Sequence, residues 1–155
     1  MKSEEIHLSK LDKILSNYKG QEGALLPVLR EVQAEFGRIP PEAIDGIADA
    51  LKLFSSQVHG VATFYSFLSI KPQGKNIIRI CKSMPCFLKN SQTIIESVEK
   101  GIGIKPGETT PDGKFCFQLT NCIGVCDKAP AMMINNEVYV DLTPSKISQI
   151  LKTYK

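Results

Sequence analysis

Apolar residues in the first part of the chain recur every three or four positions, from Leu8 to about Leu68. This spacing is typical of amphipathic helices that bury one face. It predicts four short helices, whose apolar stripes are Leu11, Leu15 and Tyr18; Leu25, Leu26, Leu29, Val32 and Phe36; Ile44, Ile47, Ala48 and Leu51; and Val58, Val61, Ala62, Tyr65 and Leu68. Gly37 suits the left-handed turn after a helix, and Pro40-Pro41 suits a helix start. We therefore expect residues 1–72 to form a helical bundle.

The pattern changes after the segment Lys71 to Lys75, a polar stretch with Pro72 and Gly74 that is typical of a linker or domain boundary. Beyond it, β-branched runs and helical stripes follow one another. They predict a strand at 76–81, a helix that contains Phe87 to Val98 and ends near Gly101, strands at 115–119, 132–134 and 138–140, and a helix that begins at Thr143-Pro144. This is an α/β order, so residues 73–155 are expected to form a second domain around a sheet.

Composition and charge exclude several functional classes. The 155 residues are 43% hydrophobic, and the net charge of +3 comes from 19 basic and 16 acidic residues mixed along the chain. No basic block or interleaved aromatic stripe is present, so nucleic-acid binding is not expected. No apolar run approaches the ~18 residues that span a bilayer, and Met1 to Glu5 lacks the apolar core of a signal peptide. We expect a cytoplasmic protein without membrane insertion.

Four of the five cysteines form two tight pairs, Cys81 with Cys86 and Cys122 with Cys126. In a reducing compartment such pairs indicate metal or redox chemistry rather than disulfides. Four thiolates are the ligands of structural zinc and of iron-sulfur clusters. Zinc knuckles usually have two residues between ligands, whereas the first pair has the four-residue gap that opens the plant-type 2Fe-2S ligand set. The spacing favours a 2Fe-2S cluster, with zinc or buried structural thiols as alternatives.

Other kinds of cysteine site fit the sequence less well. A Rieske centre needs two histidine ligands, but His7 and His59 are the only histidines and both lie in the helical half. Neither cysteine pair has the two-residue gap of thioredoxin-type dithiols. Cys86 lies at the start of a predicted helix, where free N–H groups favour anions, and Gly124 allows the backbone to approach a cluster closely. Both loops are therefore suited to surround an anionic group.

Several longer motifs resemble one family. They are Cys81-x4-Cys86 and Thr120 to Pro130, with the sequence TNCIGVCDKAP, together with Gly60 to Phe67, Ile104 to Phe115 and Leu142 to Pro144. These segments resemble the thioredoxin-like 2Fe-2S subunits of NADH dehydrogenases, which are the E subunits of NADH-quinone oxidoreductases, and the related subunit of NAD(P)-linked, electron-bifurcating hydrogenases. The similarity extends from about Leu25 to Lys155.

The resemblance implies both a fold and a ligand set. The implied fold is an N-terminal helical bundle followed by a thioredoxin-like 2Fe-2S ferredoxin domain. The implied cluster ligands are Cys81, Cys86, Cys122 and Cys126. Cys116 departs from the family, in which a non-cysteine is usual at that position. Because four thiolates complete the cluster, we expect Cys116 to be a free, largely buried thiol.

The resemblance also implies a function, that of an electron-transfer subunit in respiratory complex I or in a soluble hydrogenase or formate dehydrogenase. FMN and NAD(P)H are expected on a flavoprotein partner beside further iron-sulfur subunits. The chain itself has no glycine-rich dinucleotide fingerprint and no nucleophile-base set, so no catalysis is expected from it alone. The helical half, roughly residues 1–70 with its apolar face from Val58 to Leu68, is expected to supply much of the contact with the flavoprotein. Its aromatics Phe64, Tyr65 and Phe67 are assigned no contact with the flavin itself. A structural zinc-binding adaptor is the alternative function.

Overall fold

The chain divides into two compact units, with the boundary between Pro72 and Gln73. The structure, a computed structural model, describes residues 8–154. The first unit contains helices α1 (Leu8–Ser16), α2 (Leu25–Phe36), α3 (Pro41–Leu51) and α4 (Ser55–Phe64). The second contains strands β1 (Asn76–Cys81), β2 (Phe115–Thr120), β3 (Met132–Ile134) and β4 (Glu137–Tyr139), and helices α5 (Met84–Leu88), α6 (Ser91–Ile102) and α7 (Pro144–Thr153). A helical part followed by a mixed helix-and-sheet part confirms the predicted fold class.

The helices of the first unit pack on one another through the predicted apolar stripes. The buried residues of this core are Leu11, Ala24, Val28, Leu29, Val32, Ile39, Ala43, Ile44, Ile47, Ala48, Val58 and Ala62. Gly37 has φ +71° at the end of α2, the left-handed conformation predicted for it. The segment after α4 is attached to α2 by Gln33, whose side chain donates to the Phe67 carbonyl at 2.7 Å and accepts from the Ser69 N–H at 2.6 Å.

Helix α4 is shorter than the sequence predicts. It ends at Phe64, so Tyr65 and Leu68 lie beyond it. Its buried side chains are Val58 and Ala62, because only one face of this three-turn helix contacts the bundle. Phe64 and Tyr65 are exposed and meet edge to face, with their ring centroids 5.2 Å apart. The far side of α4 therefore presents aromatic surface to solvent.

The second unit is built on a four-stranded sheet in the order β2-β1-β3-β4. Strand β1 is parallel to β2, and β3 is antiparallel to both β1 and β4. The β3–β4 turn is centred on Asn135 and Asn136, and Asn135 has φ +53°, which Asn tolerates better than most residues. The parallel pair needs a long crossover, and the segment that contains α5 and α6 supplies it.

The two faces of β1 have different surroundings. Ile78 and Ile80 are buried in a core with residues of β2, β3, α6 and α7, including Phe117, Ile94, Val98 and Ile147. Since side chains alternate along a strand, Arg79 and Cys81 lie on the other face.

None of the helices in residues 8–154 has the length and apolar character of a membrane-spanning segment.

Gly74, which the sequence suggested as part of a polar linker, is buried against β2. A Cβ atom built on Gly74 would lie 2.7 Å from the Phe115 carbonyl carbon and 2.8 Å from the Cys116 nitrogen. These are backbone atoms of a paired strand, so they cannot move aside without disturbing the sheet. Glycine fits position 74 because the chain just before β1 lies too close to the β2 backbone for a side chain.

We expect Gly74→Ala to lower the free energy of unfolding of the second unit by about 1–3 kcal/mol, the usual cost of overpacking. Gly101→Ala is the matched control. Its Cβ would meet only the Leu151 methyl, at 2.6 Å, and alanine is favoured over glycine in a helix. Urea unfolding followed by circular dichroism measures both variants. An equal decrease in the free energy of unfolding of both variants would contradict the proposed backbone clash.

Candidate metal centre

The two cysteine loops begin at the same edge of the sheet. Cys81 is the last residue of β1 and pairs with Thr120, the last residue of the parallel strand β2. Cys122 follows two residues later, and the Lys82 N–H donates to the Thr120 carbonyl at 2.9 Å. Because parallel neighbours end at the same edge, both loops leave the sheet side by side.

The first loop contains the two buried cysteines, Cys81 and Cys86, whose exposed fractions are 1% and 2%. Cys86 lies in the first turn of α5, which begins at Met84. The sequence predicted one helix through this region, but the structure has two, since Asn90 adopts a left-handed conformation with φ +63° and ends the first. The break allows α5 to hold Cys86 against Cys81 while α6 packs on the sheet core.

The second loop contains the two exposed cysteines, Cys122 and Cys126. Their sulfur atoms lie 3.2 Å apart, and the Gly124 N–H donates to the Cys122 sulfur at 3.4 Å. Gly124 has φ +91°, a conformation that other residues rarely adopt. Two sulfurs bound to one tetrahedral metal at ~2.3 Å would lie about 3.8 Å apart, so small side-chain rotations would adapt this pair.

The electrostatics of the thiols connect the two loops. Burial, followed by a hydrogen bond with Cys81, raises the pKa of Cys86 to about 11, and Cys126 acts in the same direction. The amide of Gly124 lowers the pKa of Cys122, as do hydrogen bonds with Cys126 and Cys81. The hydrogen bond with Cys122 raises the pKa of Cys126. Cys81 thus interacts with thiols of both loops, and the structure brings the four predicted residues together.

The surroundings of the buried pair are apolar. Cys81, Cys86 and Ala131 form a buried cluster, against which lie Ile123, Val125, Ala129 and Val140. This shell excludes water from one side of the four thiols, while Cys122 and Cys126 leave the other side exposed. Among residues 8–154, no group of three or more Cys, His, Asp or Glu side chains is gathered closely enough to hold a single metal ion.

The donor set fits an iron-sulfur cluster in its chemistry. A [2Fe-2S] cluster needs two thiolates at each of two irons, and the site offers four thiols in two pairs. The second unit contains no histidine, so a mixed histidine and cysteine ligand set is not available from it. Cys116 is buried and free, as predicted, and its sulfur accepts a hydrogen bond from the Gln118 amide at 3.5 Å.

Arg79 is a residue near the site that the sequence interpretation missed. It is 5% exposed and lies on the same face of β1 as Cys81, two positions before it. Its neighbour in β2 is Gln118, and burial lowers the pKa of Arg79 while the Cys116 thiol acts in the opposite direction. The sequence did contain a sign of this residue. Arg79 is a charged residue within the largely apolar strand NIIRIC, and buried strands rarely contain a charged residue.

Two curated relatives of this chain carry the same name. The E subunit of NADH-quinone oxidoreductase from Escherichia coli (strain K12) is 42% identical over 141 residues, which cover 91% of this chain and 85% of that protein. The protein of the same name from Pseudomonas aeruginosa strain PAO1 is 36% identical over 150 residues, which cover 97% and 90%. The predicted resemblance is therefore confirmed by sequence similarity along most of the chain.

A solved structure shows a similar fold. The NAD+-reducing [NiFe]-hydrogenase in the H2-reduced state matches with a TM-score of 0.73 and 21% identity, over 84% of this chain. This chain spans only 22% of the length of that hydrogenase chain. At this level of identity the likeness concerns the fold and not the activity.

The family assignment follows from a match along nearly the whole sequence. The family model described as "Thioredoxin-like [2Fe-2S] ferredoxin" matches residues 11–155, which include both units and all five cysteines. The two pairs of cysteines, whose loops begin at one edge of the sheet, agree with that description. This chain belongs to the thioredoxin-like [2Fe-2S] ferredoxin family.

Proposed function

We propose that this protein holds one [2Fe-2S] cluster through Cys81, Cys86, Cys122 and Cys126 and exchanges single electrons with an FMN-containing partner subunit. The observation that carries the proposal is the register of β1 and β2, which pairs Cys81 with Thr120 and so starts both cysteine loops at one edge of the sheet. There Cys81 interacts with Cys86 of its own loop and with Cys122 of the other. The family match and the relatives named as NADH-quinone oxidoreductase subunits support it. The larger assembly is an NAD(P)H-linked oxidoreductase of the complex I type or of the soluble hydrogenase or formate dehydrogenase type.

The four cysteines and Gly124 have different roles at the proposed site. When bound, the cluster supplies a centre that accepts and returns one electron at a time. Cys81 and Cys86 hold it from the buried side, where the apolar shell keeps water away. Cys122 and Cys126 hold it from the exposed side, so an electron partner can approach there. The Gly124 amide, which donates to the Cys122 sulfur, favours the thiolate that binds iron.

Electron counting requires a partner with a flavin. A nicotinamide releases two electrons together as hydride, whereas a [2Fe-2S] cluster takes one, so a flavin must divide the pair. The sequence of this chain contains no glycine-rich dinucleotide fingerprint. The nicotinamide and FMN sites are therefore assigned to the partner. The names of the sequence relatives, which include NADH, support this assignment.

Serine at any of the four proposed ligands is expected to remove most of the bound cluster, because an alcohol is a much poorer iron ligand than a thiolate. Cys116→Ser is the matched control and should retain the cluster, since Cys116 lies away from the two loops in β2. Iron, acid-labile sulfide and visible absorbance measure the effect. Full cluster content in any ligand variant, or stoichiometric zinc in the wild type, would overturn the ligand assignment and favour the zinc adaptor.

Arg79→Met is expected to lower the reduction potential of the cluster, by an amount on the order of tens of millivolts. A buried positive charge stabilises the more negative reduced state, and neutral methionine removes that charge. Arg79→Lys should keep most of the wild-type potential. Lys100→Met removes an exposed charge from α6 and is the control. A redox titration followed by electron paramagnetic resonance tests this, and equal potentials for all four proteins would exclude the effect.

The exposed aromatics of the first unit are expected to contact the flavoprotein. Phe54 and Phe64 are 76% and 79% exposed, so their burial in a complex would be favourable. The double variant Phe54→Ser, Phe64→Ser should co-purify with the flavoprotein less well and keep its cluster. His59→Ser, at an exposed position of α4, is the control. The chain alone should oxidise no NADH, and undiminished co-purification of the double variant would assign the contact elsewhere.

A further inference from the structure

Helix α5 exposes three large apolar side chains beside the proposed cluster site. Met84, Phe87 and Leu88 are 65%, 60% and 72% exposed, although the helix has only five residues. Isolated exposed apolar residues are common on proteins, but three together form a patch, and such patches mark interaction sites. These three residues, which we name the α5 patch, are therefore a candidate binding surface.

The orientation of α5 is set by its buried cysteine. Cys86 lies in the apolar cluster with Cys81 and Ala131, which holds this side of the helix inward. Main-chain hydrogen bonds continue from the Phe87 N–H to the Ser83 carbonyl and from the Lys89 N–H to the Cys86 carbonyl. A rotation of α5 that buried Phe87 would move Cys86 out of this apolar cluster. The patch is therefore a consequence of placing a proposed ligand in this short helix.

All charged residues in the segment around the α5 patch are basic. No Asp or Glu occurs from Asn76 to Ile95, and Lys82 and Lys89 are exposed on either side of the helix. Neither lysine forms an ion pair within the part of the chain that the structure describes. A complementary surface therefore has an apolar centre with carboxylates around it.

A second copy of this chain is a poor occupant. A twofold interface would place the patch against itself, with Lys82 and Lys89 close to the same lysines of the other copy. Like charges around an apolar contact oppose association unless they are paired. The position beside Cys86 instead suits a protein that must come near the cluster.

We propose that the α5 patch, with Lys82 and Lys89 at its rim, is the docking surface for the electron-transfer partner, which presents an apolar face surrounded by carboxylates. The proposal rests on the proposed function, because the partner is the flavoprotein assigned there. It adds a contact in the second unit, distinct from the aromatics of α4. Aromatic residues and Met are enriched at the centres of protein interfaces, with charged residues at their rims.

The test uses the full-length chain with its cluster and the purified FMN-binding subunit as the probe. Phe87→Ser with Leu88→Ser should weaken binding about tenfold or more, as expected for central apolar contacts. Lys82→Glu with Lys89→Glu should also weaken binding and reduce its dependence on salt. The matched controls are Val138→Ser, an exposed apolar change in β4, and Lys100→Glu, an exposed charge change in α6.

Iron content and visible absorbance are measured for every variant, so that loss of the cluster is not mistaken for loss of binding. If the serine variant loses its cluster, the glutamate variant, altered only at exposed positions, decides the question. Wild-type affinity and salt dependence in the glutamate variant would overturn the proposal. Binding that survives both variants leaves the proposed function in place, whereas a wild type that binds no flavoprotein removes the function and this surface together.

Two other occupants are tested in the same series. Sedimentation of vesicles of phosphatidylcholine with phosphatidylserine would show a lipid surface as occupant if binding depended on Phe87 and Leu88. Analytical ultracentrifugation would show a second copy if a wild-type dimer dissociated in the serine variant. Either result would replace the proposed partner, while the expected results are no vesicle binding and no dimer through this surface.

Discussion

The parallel pairing of β1 with β2 is the constraint on which the site depends. Cys81 and Thr120 end these strands in register, so the two cysteine loops start next to each other although the pairs are far apart in sequence. An antiparallel pair would send the loops to opposite edges. Parallel pairing in turn needs the α5 and α6 crossover, and that crossover contains Cys86. The parallel pairing therefore brings the two loops together and also requires the crossover that positions Cys86.

The site is asymmetric, and this asymmetry suits electron exchange. Cys81 and Cys86 lie in an apolar cluster, whereas Cys122 and Cys126 are exposed. A fully buried centre would be distant from any partner, and a fully exposed one would be open to water and oxidants. Burial of the first pair also turns the apolar residues of α5 outward. The same packing that encloses one side of the site thus creates the surface beside it.

Local signals in the sequence predicted much of the fold. The stripes of α2 and α3 were visible because three- and four-residue spacing of Leu, Ile and Val is a local property. Gly37 was assigned to a left-handed turn, and φ +71° confirms it. The end of α4 and the break at Asn90 were predicted less well. Both depend on which contacts the surrounding chain offers, so spacing alone could not locate them.

The sequence by itself determined the type and spacing of the thiols, the order of helices and strands, and the family motifs, because each is carried by neighbouring residues. Only the tertiary structure decided which cysteines are buried, which face of β1 carries Arg79, and that Gly74 packs against β2 instead of forming a linker. Each of these depends on residues more than thirty-five positions away meeting across the sheet. Such contacts leave no periodic trace in a single sequence, because packing between distant segments sets them.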